Sequence, residues 1–366
     1  MTRYSHRAGL AVVAALLGFG GAALRAGVTG TEATIETEAL GCGDVRMGQA
    51  NLIADQPVSG DTFEVSATQD RIDIDYSPSR EDFVTQPVHR AEESTAVALT
   101  SRVDVDSNFS PMFTVGGYRG YTDYRSVWLD EFYRQLFSGV PGYEPVSPHG
   151  LNALAGARWA YVPGAAFFQS TLILQDDTVS PGYEPQIGKP LLRGLEHLRT
   201  FAVRVSTENV LTPTLRSLVA VSVTGTTDRE RRYTVQGSLN WAVGERLTLR
   251  TVVGEVSEGD EFHSVSGSAD LERNWGERWF AGIAVRGYRD GGEVVDPLIP
   301  SSAATALRTV DVTASVRWQG ERAAFRLEAG PYWTRYEPVG LASSQFASLY
   351  RGRDWRHVEG TTSWTF

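Results

Sequence analysis

Trp355-Arg356-His357-Val358-Glu359-Gly360-Thr361-Thr362-Ser363-Trp364-Thr365-Phe366 closes the chain. Side chains of a β-strand point alternately to its two faces. Counted back from the carboxyl end, Phe366, Trp364, Thr362, Gly360 and Val358 share one face, and Thr365, Ser363, Thr361, Glu359 and His357 share the other. The segment reads as a strand with one apolar, aromatic-tipped face and one polar face. A strand of a soluble sandwich alternates in the same way, so the decision rests on what lies upstream.

The pattern recurs. From about residue 66 onward, short alternating segments follow one another with turn residues between them. Tyr233, Val235, Gly237, Leu239, Trp241 and Val243 alternate with Thr234, Gln236, Ser238 and Asn240. Val310, Val312, Ala314, Val316 and Trp318 alternate with Thr309, Asp311, Thr313, Ser315 and Arg317. The first segment, 71–76, sets Ile72, Ile74 and Tyr76 opposite Arg71, Asp73 and Asp75. Such segments have the length of tilted strands that cross a bilayer, and none has helical spacing.

The connections supply an independent test. Counting from 71–76 as the first strand, every long connection (77–95, 125–150, 177–199, 290–305 and 337–354) has an odd number. The even connections, among them 163–164, 244–245, 274–277 and 319–322, are all short. A soluble sandwich or propeller has no reason to sort its loops by parity, whereas outer-membrane barrels have short periplasmic turns and long external loops. The terminal strand, with its final Phe and alternate apolar positions, resembles those of bacterial outer-membrane β-barrel proteins. The resemblance implies that Trp364 and Phe366 form a signal read by the barrel-assembly machinery. The expected fold is a closed antiparallel transmembrane β-barrel of about 14 strands, with 12 or 16 as even-numbered alternatives. It spans 66–366, with the last strand pairing to the first near 71–76 and both termini periplasmic. The segments near the interfaces carry Trp159, Tyr161, Trp241, Trp275, Trp279, Trp318, Trp333 and Trp364, which suit aromatic girdles.

The amino end reads as an export signal over 1–26: Arg3, His6 and Arg7, then an apolar run rich in Ala and Gly, with small residues near Ala26 for cleavage. An uncleaved anchor is the competing reading, but the run falls short of a typical span. Residues 27–65 are acidic and weakly patterned and read as a periplasmic extension or a segment tucked into the lumen. No other stretch is long and apolar enough for a helical span.

Composition narrows function. Hydrophobic residues make up 42% of the 366 and charged residues 21%, with a net charge of -10. That balance argues against a nucleic-acid partner, which needs clustered cations. Lys189 is the sole lysine, so the cations are arginines, suited to bidentate pairing in confined space. A single Cys42 excludes a disulfide framework. The polar faces hold Arg102, Arg158, Arg204, Arg250, Arg286, Arg317 and Arg326 together with Asp104, Asp270, Asp311 and Glu328. Facing a lumen, they would either set up a field across a water-filled pore for polar solutes or knit the inner wall together.

In the long connections, Pro141-Gly142-Tyr143-Glu144-Pro145 recurs as Pro181-Gly182-Tyr183-Glu184-Pro185. Tyr143, Glu144, Tyr183 and Glu184 could touch a ligand or a neighbouring loop, although a structural turn explains the repeat as well. Residues 127–137 have helical spacing and suit a short helix at the mouth. Catalysis finds little support. His263 and Ser264 are adjacent and so point to opposite faces of a strand, and His149 and His197 fall in polar connections. No phosphate loop, metal-ligand spacing or nucleophile elbow occurs, so no cofactor or metal is expected. The leading expectation is a diffusion channel for small polar solutes, partnered by outer-membrane lipid. The alternative is a non-conducting barrel whose external loops bind a partner.

Overall fold

In a computed structural model of the chain, the described residues are 32–42, 45–58, 61–76, 88–103, 105–106, 108–121, 127, 148–182, 194–227, 230–259, 262–292, 306–337 and 352–365. The strands are β1 (Glu32–Cys42), β2 (Val45–Val58), β3 (Asp61–Tyr76), β4 (Val88–Arg102), β5 (Phe109–Arg119), β6 (His149–Val162), β7 (Ala166–Gly182) and β8 (Gly194–Thr212). They continue as β9 (Leu215–Thr226), β10 (Arg232–Ala242), β11 (Leu247–Glu258), β12 (Phe262–Trp275), β13 (Trp279–Asp290), β14 (Leu307–Gln319), β15 (Ala323–Tyr336) and β16 (Arg353–Thr365). Each pairs antiparallel with its sequence neighbours, and β1 pairs with β16 from Thr34↔Thr365 to Cys42↔His357, which brings the strand order round as a barrel.

Three expectations are corrected here. The described residues hold sixteen strands, the larger of the two alternatives to about 14. Residues 32–42 and 45–58 are neither an extension nor a plug; they form β1 and β2, and β3 begins at Asp61. The partner of the last strand is therefore β1 and not the segment 71–76, which lies in β3. The reason is side-chain size. One alternate set in β1 is Ala33, Ile35, Thr37, Ala39 and Gly41, and one in β2 is Gly48, Ala50, Leu52 and Ala54. In β1 this set alternates with Glu32, Thr34, Glu36 and Glu38, so a period of two is present, but Ala, Thr and Gly make its apolar face weak beside the acidic one. The export segment 1–26, Asp104, the Tyr143–Glu144 and Tyr183–Glu184 repeat, and Phe366 lie outside the described residues.

Adding two strands in front leaves parity unchanged. The even connections are 59–60, 103–108, 163–165, 213–214, 243–246, 276–278 and 320–322, none longer than six residues. The long ones (77–87, 120–148, 183–193, 291–306 and 337–352) are all odd. Turns this tight need special backbone. Gly276, between Trp275 and Trp279, has φ 84°, a left-handed conformation that costs a side-chain-bearing residue about 1–2 kcal/mol.

The molecule turns its apolar side outward. Val253 is 63% exposed, and Leu239, Ile283, Val285, Val310 and Val316 are exposed on the same outer surface. Exposed aromatics gather at the short-turn rim: Phe63, Phe109, Trp159, Tyr161, Trp241, Trp275, Trp279, Phe325 and Trp364. Toward the opposite rim the outer surface becomes charged, with Arg71 on Asp73 and Glu93 at 3.2 Å each, Arg199 on Asp176 at 3.4 Å and His263 on Glu255 at 2.9 Å.

On β3 this change reverses the expected faces. Phe63 and Val65 point outward, so Ile72 and Ile74 point inward and are buried at 0% and 3% exposure, while Arg71 lies outside. The strand has left the apolar zone by Gln69, and its alternation continues while the environment on each side changes. The segment 127–137 is represented by Val127, which is helical and 2% exposed.

Candidate functional site

The inner wall is the candidate site, because strand alternation places there the polar set opposite the apolar band. On β11 to β16 it carries two clusters of ion pairs, which together make a ladder up the wall. Arg250 reaches Asp270 at 3.9 Å and Glu272 at 3.3 Å. Arg317 meets the same Glu272 at 3.0 Å and Gln319 at 2.7 Å, and its guanidinium lies 3.9 Å from the centre of the Phe280 ring. Higher on the wall, Arg286 donates to Asp311 at 3.0 Å and approaches Glu328 at 3.6 Å, while Arg326 pairs with Glu328. Thr313 donates to Asp311, and His357 lies 3.5 Å from that carboxylate through Nδ1. Asp311, Thr313, Glu328 and His357 are all buried.

Registry explains the ladder. Arg250↔Asp270 and Arg286↔Asp311 are directly opposed pairs on neighbouring strands, close enough for long side chains to meet. Each acid therefore sits beside its cation on the same stretch of wall, and on this wall the two signs are not separated across the lumen. Of the two expectations, this side fits the one in which the pairs knit the wall.

The wall from β3 to β9 differs. Arg158 lies 3.9 Å from the Phe167 ring centre and 3.9 Å from Glu208. Arg102 and Arg204 share the inward alternation of their strands, and neither is ion-paired among the described residues. Between β3 and β7 the wall hollows into a cavity of about 490 Å³. Asp70, Tyr118, Tyr121, Asn152, Gln175 and Asp177 line it. Gln175 donates to Asp177 at 2.7 Å. Burial, and then the neighbouring Asp70 and Asp73 carboxylates, hold the Tyr121 phenol above its ordinary pKa.

Sequence reasoning missed this cavity. The sequence pattern ends a strand at Asp176 and puts Asp177 in the connection 177–199, and Tyr118 and Tyr121 fall in the Gly-rich segment 112–124, whose alternation is less clean. The available signal was continuation of period two: Gln175 and Asp177 share a face, and β7 runs on to Gly182. His149 likewise opens β6, and His197 lies in β8, where connections were expected. Ser264 is buried on the inner side while His263 bonds Glu255, which bears out their placement on opposite faces. Trp364 is exposed on the outer surface of β16. Among the described residues, no cluster of His, Cys, Asp and Glu could hold a metal ion.

No family model matches the chain, and no curated protein resembles it in sequence. Solved structures share its fold. CdiB from Acinetobacter baumannii matches over 93% of this chain with a TM-score of 0.54 and 10% identity, and the match covers 60% of the length of CdiB. A bacterial polysaccharide outer membrane secretin matches over 92% of this chain and 98% of its own, with a TM-score of 0.50 and 8% identity. The ferric enterobactin receptor of Pseudomonas aeruginosa overlaps with a TM-score of 0.44 and 7% identity, over 92% of this chain and 81% of its own, too loosely to carry an argument. These neighbours are outer-membrane β-barrel proteins, and the likeness, at such low identity, is one of fold alone.

Proposed function

We propose that the chain is an outer-membrane β-barrel that passes small polar solutes through its lumen, with both termini in the periplasm and without a catalytic role. The observation that carries this reading is the inversion of polarity: apolar and aromatic side chains outside, hydroxyl, amide and charged side chains inside. Along β10 the outward positions run from Trp241 to Tyr233 with Leu239 and Val235 between them, all exposed. At a rise of about 3.3 Å per residue and a tilt of about 40°, that run stands about 20 Å tall, close to the apolar band of outer-membrane barrels. Barrels of about this strand number have a lumen too wide for side chains alone to fill. Lipid forbids unpaired strand edges, so the β1–β16 seam is what such a location requires.

Planar-bilayer recording of the refolded full chain tests the proposal, with discrete unit conductances expected. The second reading is a barrel whose external loops bind a partner; Val127, in the longest connection, is buried, so this connection packs against the rest of the molecule there. Deleting 128–147 should then raise unit conductance if this connection restricts the mouth. Silence from both proteins at high salt would sink the conduit and leave the partner-binding reading.

A further inference from the structure

We infer that the cavity between β3 and β7 is a binding site for a small hydroxylated solute carrying a protonated amine. This rests on the lumen being open to solutes but concerns equilibrium binding rather than flow. Two carboxylates, Asp70 and Asp177, line the cavity, and its lining contains no Lys, Arg or His. Asp177 is 8% exposed; its carboxylate is hydrogen-bonded by Gln175 and Tyr118, but its Oδ1 is buried without a hydrogen-bond partner, as are Asp70 Oδ1 and the Tyr121 hydroxyl. Three buried polar atoms without partners on one cavity wall are a costly arrangement unless something supplies donors and positive charge. Elsewhere on the inner wall the acids Asp311, Glu328 and Glu272 are each matched by arginine. Here they are not.

The chemistry of the lining selects the ligand class. An ammonium group brings several donors for the carboxylate oxygens and is attracted to aromatic faces such as those of Tyr118 and Tyr121. The amides of Asn152 and Gln175 can pair with hydroxyls on the rest of the solute. A hard divalent cation is disfavoured, because such ions are held by clustered carboxylates and the described residues contain no group of three or more His, Cys, Asp and Glu that could hold one. The backbone is shaped for this carboxylate: a Cβ on Gly150 would stand 2.1 Å from Asp177 Oδ1, so glycine leaves the room that the oxygen occupies.

The test is calorimetric titration of the refolded full chain in detergent with glucosamine, and with glucose as its neutral counterpart. Glucosamine should bind saturably at a pH where its amine is charged, and glucose at least tenfold more weakly. Asp177→Asn and Asp70→Asn should each weaken glucosamine by about tenfold or more, in proteins that keep heat-modifiable migration. Gly150→Ala, which displaces the carboxylate without removing charge, should weaken it as well. Equal binding of the two sugars, absence of saturable glucosamine binding, or unchanged affinity in Asp177→Asn would each overturn the site. The wild-type comparison needs no variant to fold. Selective binding without conductance would fail the conduit alone, and conductance without selectivity would fail this site alone.

Discussion

Asp311 joins Arg286, Thr313 and His357 on the inner wall, and removing it measures what that cluster contributes. In Asp311→Ala, Arg286 loses an acceptor at 3.0 Å, the buried Thr313 hydroxyl loses one at 3.0 Å, and His357 Nδ1 loses a neighbour at 3.5 Å. Breaking a fully buried pair costs about 3–5 kcal/mol. Two features reduce this. The Arg286 side chain is 46% exposed, and Glu328 remains 3.6 Å away as a second partner. The expected cost is therefore about 2 kcal/mol, in the range of one charged hydrogen bond. With a urea slope of about 3 kcal/mol per molar, the unfolding midpoint should fall by about 0.7 M, followed by tryptophan fluorescence in detergent or liposomes. The control is Asp73→Ala on the outer surface. Its partner Arg71 is 51% exposed and keeps Glu93 at 3.2 Å, so the loss should be about 0.5 kcal/mol, or less than about 0.2 M. Equal shifts in the two variants would refute the claim that the inner ladder carries more of the stability than the outer pairs.

Other consequences are separately measurable. Val253→Arg, placed mid-strand on the outer surface, should cost about 2–4 kcal/mol in a lipid bilayer, whereas the inward Ser268→Arg should cost far less; equal costs would mean that the exposed apolar band does not face lipid. Gly276→Ala meets no atom within 4 Å, so its cost should be the backbone term alone, about 1 kcal/mol by urea titration. Deleting Phe366 should deplete the protein from outer-membrane fractions while sparing the refolding yield in detergent. Normal outer-membrane levels of that truncation would remove the terminal residue from assembly.

Where the sequence was legible, the contrast between neighbouring side chains was large. Val235, Leu239 and Trp241 against Gln236, Ser238 and Asn240 declare a strand and both of its faces, and β10 contains them all. The parity of the connections survived the addition of two strands because a hairpin adds two at once. Legibility failed where the apolar face is built mostly of small residues and the acidic face dominates the composition. Ala33, Ala39, Gly41, Gly48 and Ala50 are small enough to pair in a sheet while looking like a tail. It failed again where the strands rise beyond the apolar zone, since Ile72 and Arg71 exchange their expected sides there. Inward orientation of the arginines followed from period two, but their partners needed register: nothing local links Arg286 to Asp311 or Arg317 to Glu272. The cavity was hidden for the same reason, being assembled from residues on several strands and one strand end.

With β1 and β2 as wall, the barrel should close between β1 and β16. Disulfide trapping in the outer membrane of a Gram-negative host tests it directly, in a Cys42→Ser background. Ala39 and Gly360 are directly opposed in the seam register, and opposed residues stand about 4.5–5.5 Å apart at Cα, within disulfide reach. Ala39→Cys with Gly360→Cys should cross-link within one molecule under mild oxidation and shift its gel mobility. Cross-linking of Gly360→Cys to Ile72→Cys on β3, with no link to position 39, would contradict the closure and return residues 32–58 to the role of a tail.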